Sequence, residues 1–147
     1  MAAKRVKQKD LDEKLVSIMK EWQKVEDRSI KSISSSLDKI DNPLVQQVLR
    51  IIQSDSIMHR KVQQLILDSI QKEAFSLTPE ELGEVWSVIE QHIAMERDAV
   101  ELAERAKEIA WNFVHRYLIT YLVTDERKHD AMLAELESVK RKIYPYA

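Results

Sequence analysis

The sequence predicts an all-α protein, an antiparallel four-helix bundle built from two repeated helical hairpins. Three observations support this. One glycine and three prolines among 147 residues leave few places for a helix to break, and strong helix formers fill most of the rest. Apolar residues recur three and four positions apart, the spacing of one helix face. The second half of the chain repeats the first at a shift of 70 positions, the signature of a duplicated structural unit. With 44% hydrophobic residues, the chain can form one core but hardly two, so a single domain over 1–147 is expected.

The first helix is expected over about 9–39, where Leu11, Leu15, Ile18, Trp22, Val25, Ser29 and Ile33 form one stripe. Asp41-Asn42-Pro43 then supplies a capping side chain followed by proline at the first helical position, so a second helix begins after a very short turn. It carries Leu44, Val48, Ile51, Ile52, Met58, Val62, Leu65 and Ile66 and should run over about 43–71. Thr78-Pro79-Glu80-Glu81 reads as a capping box, with Thr78 and Glu81 each satisfying the other's backbone N–H. The third helix therefore starts at 79.

Beyond Pro79 the only glycine or proline before Lys142 is Gly83, and local signals do not locate a turn. The repeat does. It lays Glu26 on Glu96, Asn42 on Asn112, Asp55 on Asp125 and His59 on His129. The turn at Asp41-Asn42 thus predicts another near Trp111-Asn112, dividing the segment into helices over about 79–110 and 113–142. A helical hairpin cannot bury its apolar stripe alone, so two of them should pack together.

Composition disfavours some classes of function and rules out others. Lys plus Arg number 23 against 25 Asp plus Glu, so no net field steers the protein to nucleic acid or an anionic membrane. No run of about 18 apolar residues is present to span a bilayer, and the N-terminus lacks the apolar segment of a secretory signal, which makes a cytoplasmic protein the expectation. There is no cysteine, hence no disulfide, thiolate metal site or thiol nucleophile. Any metal must bind through nitrogen and oxygen.

The chemistry concentrates where the repeat matches polar residues. Thr124-Asp125-Glu126-Arg127-Lys128-His129 contains Glu-x-x-His, and a spacing of three places Glu126 and His129 about 5–6 Å apart on one helix face. The second helix offers Ser54-Asp55-Ser56-Ile57-Met58-His59, the same pattern with Ser56 in the glutamate's place. The first and third helices each supply one glutamate, Glu26 and Glu96, about as far before their turns as Ser56 and Glu126 lie after them. These positions should fall at one level. Glu26 and Glu126 also share faces with apolar residues. Burying ionised groups costs several kcal/mol each unless they are paired or bound to a cation, and the sequence offers no matching buried Lys or Arg.

In these residues the chain resembles the ferritin-like di-iron carboxylate proteins, the rubrerythrin-like members most of all, over about 105 residues from Glu26 to His129. That family places one glutamate on each of two helices and Glu-x-x-His on each of the other two. The resemblance implies Glu26, His59, Glu96, Glu126 and His129 as metal ligands, with Glu96 or Glu126 bridging. It implies two irons per chain and ferroxidase, oxidase or peroxidase activity. Manganese or zinc suits the same oxygen and nitrogen donors. Ser56 departs from the pattern and leaves the metal near His59 short of a carboxylate. Electrons would come from an external donor or from ferrous iron itself, and homodimerisation is expected by analogy with other small bundles.

Other residues admit two readings each. His92 lies one turn before Glu96 and is either a compensating sixth ligand or a surface histidine. Asp55 and Asp125 either orient ligand histidines across the core or are solvated surface acids. Tyr117 and Tyr121 are packing residues or neighbours of the metals. Trp22, Trp86 and Trp111 read as core or interface aromatics, His115 as a surface residue, and Lys4-Arg5-Val6-Lys7 and Lys140-Arg141-Lys142 as solvated tails. The connection from Gln71 to Leu77 spans at most about 25 Å, too short for the family's crossover unless the second helix ends early, the helices run simply up and down, or two chains exchange hairpins. The alternative to a metal centre is a metal-free or zinc-bound bundle serving as an interaction or scaffold protein.

Overall fold

The computed structural model describes residues 2–75 and 77–143, with side chains over 7–75 and 77–142. Four long helices follow in order, α1 (Ala2–Ser36), α2 (Pro43–Gln71), α3 (Pro79–Ile109) and α4 (Phe113–Ile143), with a 3-10 turn over Leu37–Lys39 closing the first. No strand occurs among the described residues. The all-α class and the four helices are as the sequence predicts. The first helix begins seven residues earlier than expected, because nothing in the basic segment before Lys9 breaks a helix, and α4 continues through the basic run at its end.

The chain divides into two compact units, Met1–Phe75 and Ser76–Ala147, each a helical hairpin, with α1 packed on α2 and α3 on α4. In the first, Gln23 meets Gln64, Glu26 meets His59, Ser29 meets Ser56 and Ser34 meets Gln53. One partner's number rises as the other's falls, so the pair is antiparallel. In the second, Trp86 meets Lys140 and Glu96 meets His129 in the same sense.

The caps form as their chemistry dictates. Asn42 Oδ1 accepts from the backbone N–H groups of Leu44 and Val45, at 3.0 and 3.2 Å, satisfying donors that the first helical turn leaves without partners. At α3 the Thr78 N–H donates to the Glu81 carboxylate at 2.9 Å and the Glu81 N–H to the Thr78 hydroxyl at 3.2 Å, a complete capping box. Asn112 Oδ1 accepts from Val114 N at 2.8 Å, so the turn placed by the repeat is where the repeat puts it and uses the same residue type.

Which face each helix buries differs from expectation. In α1 the buried residues are Met19, Gln23, Glu26, Ile33 and the flanking Leu37, whereas Leu11, Leu15, Ile18, Trp22 and Val25 of the predicted stripe are exposed. In α2 the most buried positions are Ser56, Gln63 and Leu67, while Ile52, Met58, Val62 and Leu65 lie open. The residues buried between α1 and α2 are thus half polar, Gln23, Glu26, Ser56 and Gln63 beside Met19, Ile33, Leu37 and Leu67, because the strip along which the two helices meet lies beside the apolar stripe rather than on it. The second hairpin buries Leu82, Ile93 and Val123.

Several single-residue expectations are corrected. Trp111 is 84% exposed in the turn between α3 and α4, which removes the core half of its reading as a core or interface aromatic. Lys140 is no solvated tail residue, since its Nζ lies 3.9 Å from the centre of the Trp86 ring, a cation–π contact between α4 and the start of α3. Arg141 pairs with Glu137 at 3.1 Å. Tyr117 packs on Phe113 along α4, ring centres 6.1 Å apart, and His115 is exposed as expected. The side chains of Lys4, Arg5 and Val6 lie outside those described.

Candidate metal centre

In the second hairpin, antiparallel packing brings position 96 of α3 opposite positions 126 and 129 of α4. His129 Nδ1 lies 3.4 Å from Glu96 Oε2 and 3.6 Å from Glu126 Oε2. One donor atom from each of Glu96, Glu126 and His129 lies within 4.8 Å of the other two, the three residues being half-buried. These separations exceed those of good hydrogen bonds. The two His129 separations approach those of donors around one cation, since ligand atoms each about 2.1 Å from a shared metal lie roughly 3–3.5 Å apart. Glu96 Oε2 is buried and has no hydrogen-bond partner, a cost that a bound cation would remove.

The imidazole's other nitrogen also faces an acid. His129 Nε2 faces Asp125 Oδ2 at 3.7 Å, beyond a good hydrogen bond, so Nδ1 points into the carboxylate pair while Nε2 points toward an acid of its own helix. Asp125 reaches His129 one turn along its own helix rather than across the core, and it also accepts from Lys128. Beside the cluster is an open groove of about 310 Å³ lined by Ile89, His92, Glu96, His129, Met132 and Leu133. His92 is exposed on its wall and lies outside the three-residue cluster.

The first hairpin holds a reduced version of the same arrangement. His59 Nδ1 lies 3.4 Å from Glu26 Oε1, the carboxylate being 8% exposed and the imidazole 56%. Ser56 is buried where Glu126 stands in the repeat, and its hydroxyl donates to Ser29 Oγ at 3.2 Å. Two metal-ligating donors remain here against three in the other hairpin. Asp55 makes no hydrogen bond or ion pair among the described residues and gives His59 no counterpart of the Asp125 contact.

The structure thus brings Glu26 to His59 within one hairpin, and Glu96, Glu126 and His129 together within the other. Sequence reasoning missed two buried amides of the first seam. Gln23 donates to Gln64 at 3.1 Å, and Gln63 is 3% exposed with both polar atoms lacking partners. The signal was present. Gln23 lies three residues before Glu26 and Gln63 four after His59, the spacings that share a helix face.

No described helix is long and apolar enough to cross a membrane. No protein-family model, curated protein or solved structure matches the chain.

Proposed function

We propose that this chain is a metal-binding protein of the ferritin-like di-iron kind, with iron as the resident metal. Glu96, Glu126 and His129 would hold the stronger site, and Glu26 and His59 a weaker one that lacks a carboxylate at Ser56. The observation that carries this reading is the gathering of Glu96, Glu126 and His129, with a buried Glu96 oxygen that accepts no hydrogen bond. Bound iron would supply redox chemistry toward oxygen or peroxide, and manganese or zinc fits the same donors.

The chain's own residues have defined tasks in that reading. Glu96 and Glu126 neutralise the cation's charge and keep their positions through the helices that carry them. His129 contributes a ring nitrogen, and Asp125 lies 3.7 Å from its other nitrogen, near enough to orient the ring once a metal fixes it. The groove beside them admits a small oxidant or water, with Ile89, Met132 and Leu133 forming its apolar part. External electrons or ferrous iron would sustain turnover.

A metal-free or zinc-bound interaction protein is the second reading, favoured for the first hairpin by one observation. Ser56 already satisfies its hydroxyl on Ser29, so that position needs no cation. Metal content of protein purified without an affinity tag, beside the double substitution Glu126→Ala and His129→Ala, separates the two. One to two irons or manganese per chain, lost in the variant, support the metal centre. No metal after anaerobic ferrous loading overturns it.

A further inference from the structure

The two hairpins share a repeat, yet they differ at two of the positions that matter for metal binding. Where the second hairpin has His92 and Glu126, the first has Trp22 and Ser56. Both replacements deprive the first hairpin of a donor. The second hairpin consequently carries two imidazoles and two carboxylates at these positions of the repeat, His92 and Glu96 on α3 and Glu126 and His129 on α4.

We propose that His92 is a fourth ligand of the Glu96, Glu126 and His129 centre, giving the second hairpin a complete metal site of its own. The inference rests on the metal-binding reading above and deepens it. His92 lies one turn before Glu96 on α3, a spacing that stacks the two side chains about 5–6 Å apart. It lines the same groove as Glu96 and His129. It is exposed and makes no hydrogen bond or ion pair among the described residues, so rotating the imidazole toward the cluster breaks no such contact. Two nitrogens and two carboxylate oxygens form a set that suits borderline divalent ions such as zinc, cobalt or ferrous iron over magnesium and calcium, which prefer oxygen alone.

The consequence is unequal filling. A four-donor site on one hairpin takes the first metal equivalent independently of Glu26 and His59, and the second equivalent binds more weakly. This differs from a symmetric pair, in which both metals load with similar affinity.

Cobalt(II) titration of the full-length chain, followed by visible absorbance, tests the inference, because cobalt with two imidazole nitrogens at low coordination number absorbs more strongly than cobalt held mainly by water and carboxylates. The first equivalent should bind tightly with the stronger spectrum. His92→Ala should weaken that first step by about tenfold or more, the low end of what removing even an outer partner of a metal ligand costs, and should lower its absorbance. His115→Ala, on the exposed part of α4, should titrate like the parent chain. If His92→Ala matches the parent while Glu126→Ala with His129→Ala abolishes binding, the fourth-ligand inference is overturned and the metal centre stands. If the double variant also titrates like the parent, both fall. Helical circular dichroism of each variant excludes misfolding as the cause of a loss.

Discussion

Arg97 on α3 lies 3.9 Å from Asp130 on α4, and this pair exchanges the charges of Asp27 and Arg60, which bridge α1 and α2 at the corresponding repeat positions. Each pair sits one residue beyond a glutamate and histidine that also meet across their hairpin, Glu96 with His129 and Glu26 with His59. Both hairpins join opposite charges at this level with the signs exchanged between helices, so the seam is expected to be indifferent to which helix carries which.

That indifference can be measured. Arg97→Asp and Asp130→Arg should each lower stability modestly, and the double variant should recover most of the loss, with a coupling of about 0.2–1 kcal/mol because both side chains remain open to water. Urea denaturation of the four proteins gives the cycle. A coupling of zero would make the contact incidental.

Bound metal should stabilise the folded chain. At a free concentration about one hundred times the dissociation constant, the gain is about 2.7 kcal/mol, or roughly 5–10 °C in melting temperature for a chain of this size. Chelation should reverse it, and Glu96→Gln should suppress it. Equal melting temperatures with and without metal would contradict the centre.

Ser56→Glu restores Glu-x-x-His to α2. Position 56 is 5% exposed, and an uncompensated buried carboxylate costs about 3–5 kcal/mol, so the metal-free variant should melt lower than the parent. Added metal should recover the loss and raise the second equivalent's affinity. A variant unchanged in both respects would mean that position 56 opens to water rather than to a metal.

The caps respond to acid with a defined sign. The backbone N–H of Thr78, and then its hydroxyl, hold the Glu81 carboxyl below its ordinary value of 4.5, and the ammonium of Lys72 followed by the Gln64 amide hold Asp68 below 3.8. Groups whose folded values are depressed stabilise the protein above their ordinary values and lose that contribution as pH falls through the folded ones. The stability difference between the parent and Glu81→Gln should therefore shrink as pH drops below 4.5, as followed by denaturation at a series of pH values. Thr78→Ala removes the cap itself and should cost about 1 kcal/mol at neutral pH.

Trp111 and Trp86 should behave oppositely. Trp111 is 84% exposed, so Trp111→Ala should change stability by less than about 0.5 kcal/mol. Trp86→Ala removes the ring beneath Lys140 and should cost at least the ~0.5–1 kcal/mol of an exposed cation–π contact. Tryptophan fluorescence and thermal melts distinguish the two.

By itself, the sequence determined the helices, three of their four starts, and the alignment of donor positions. Asn42 with Pro43, and Thr78 with Glu81, act within one turn of chain, where local chemistry dictates the backbone. Asn112 offered no local signal strong enough alone, but the repeat transferred the first turn's position to it. The same repeat paired Glu26 with His59 and Glu96 with His129, since residues equidistant from a tight turn meet in an antiparallel hairpin. Tertiary structure alone decided which strip of each helix forms the seam. A 3.6-residue period shows which residues share a face but not which face meets a neighbour, and so the predicted stripe from Leu11 to Val25 lies exposed while Gln23, Ser56 and Gln63 are buried. Contacts between residues far apart in the chain, such as Lys140 over Trp86, likewise depend on how two helices are rotated about their axes, which no local spacing specifies.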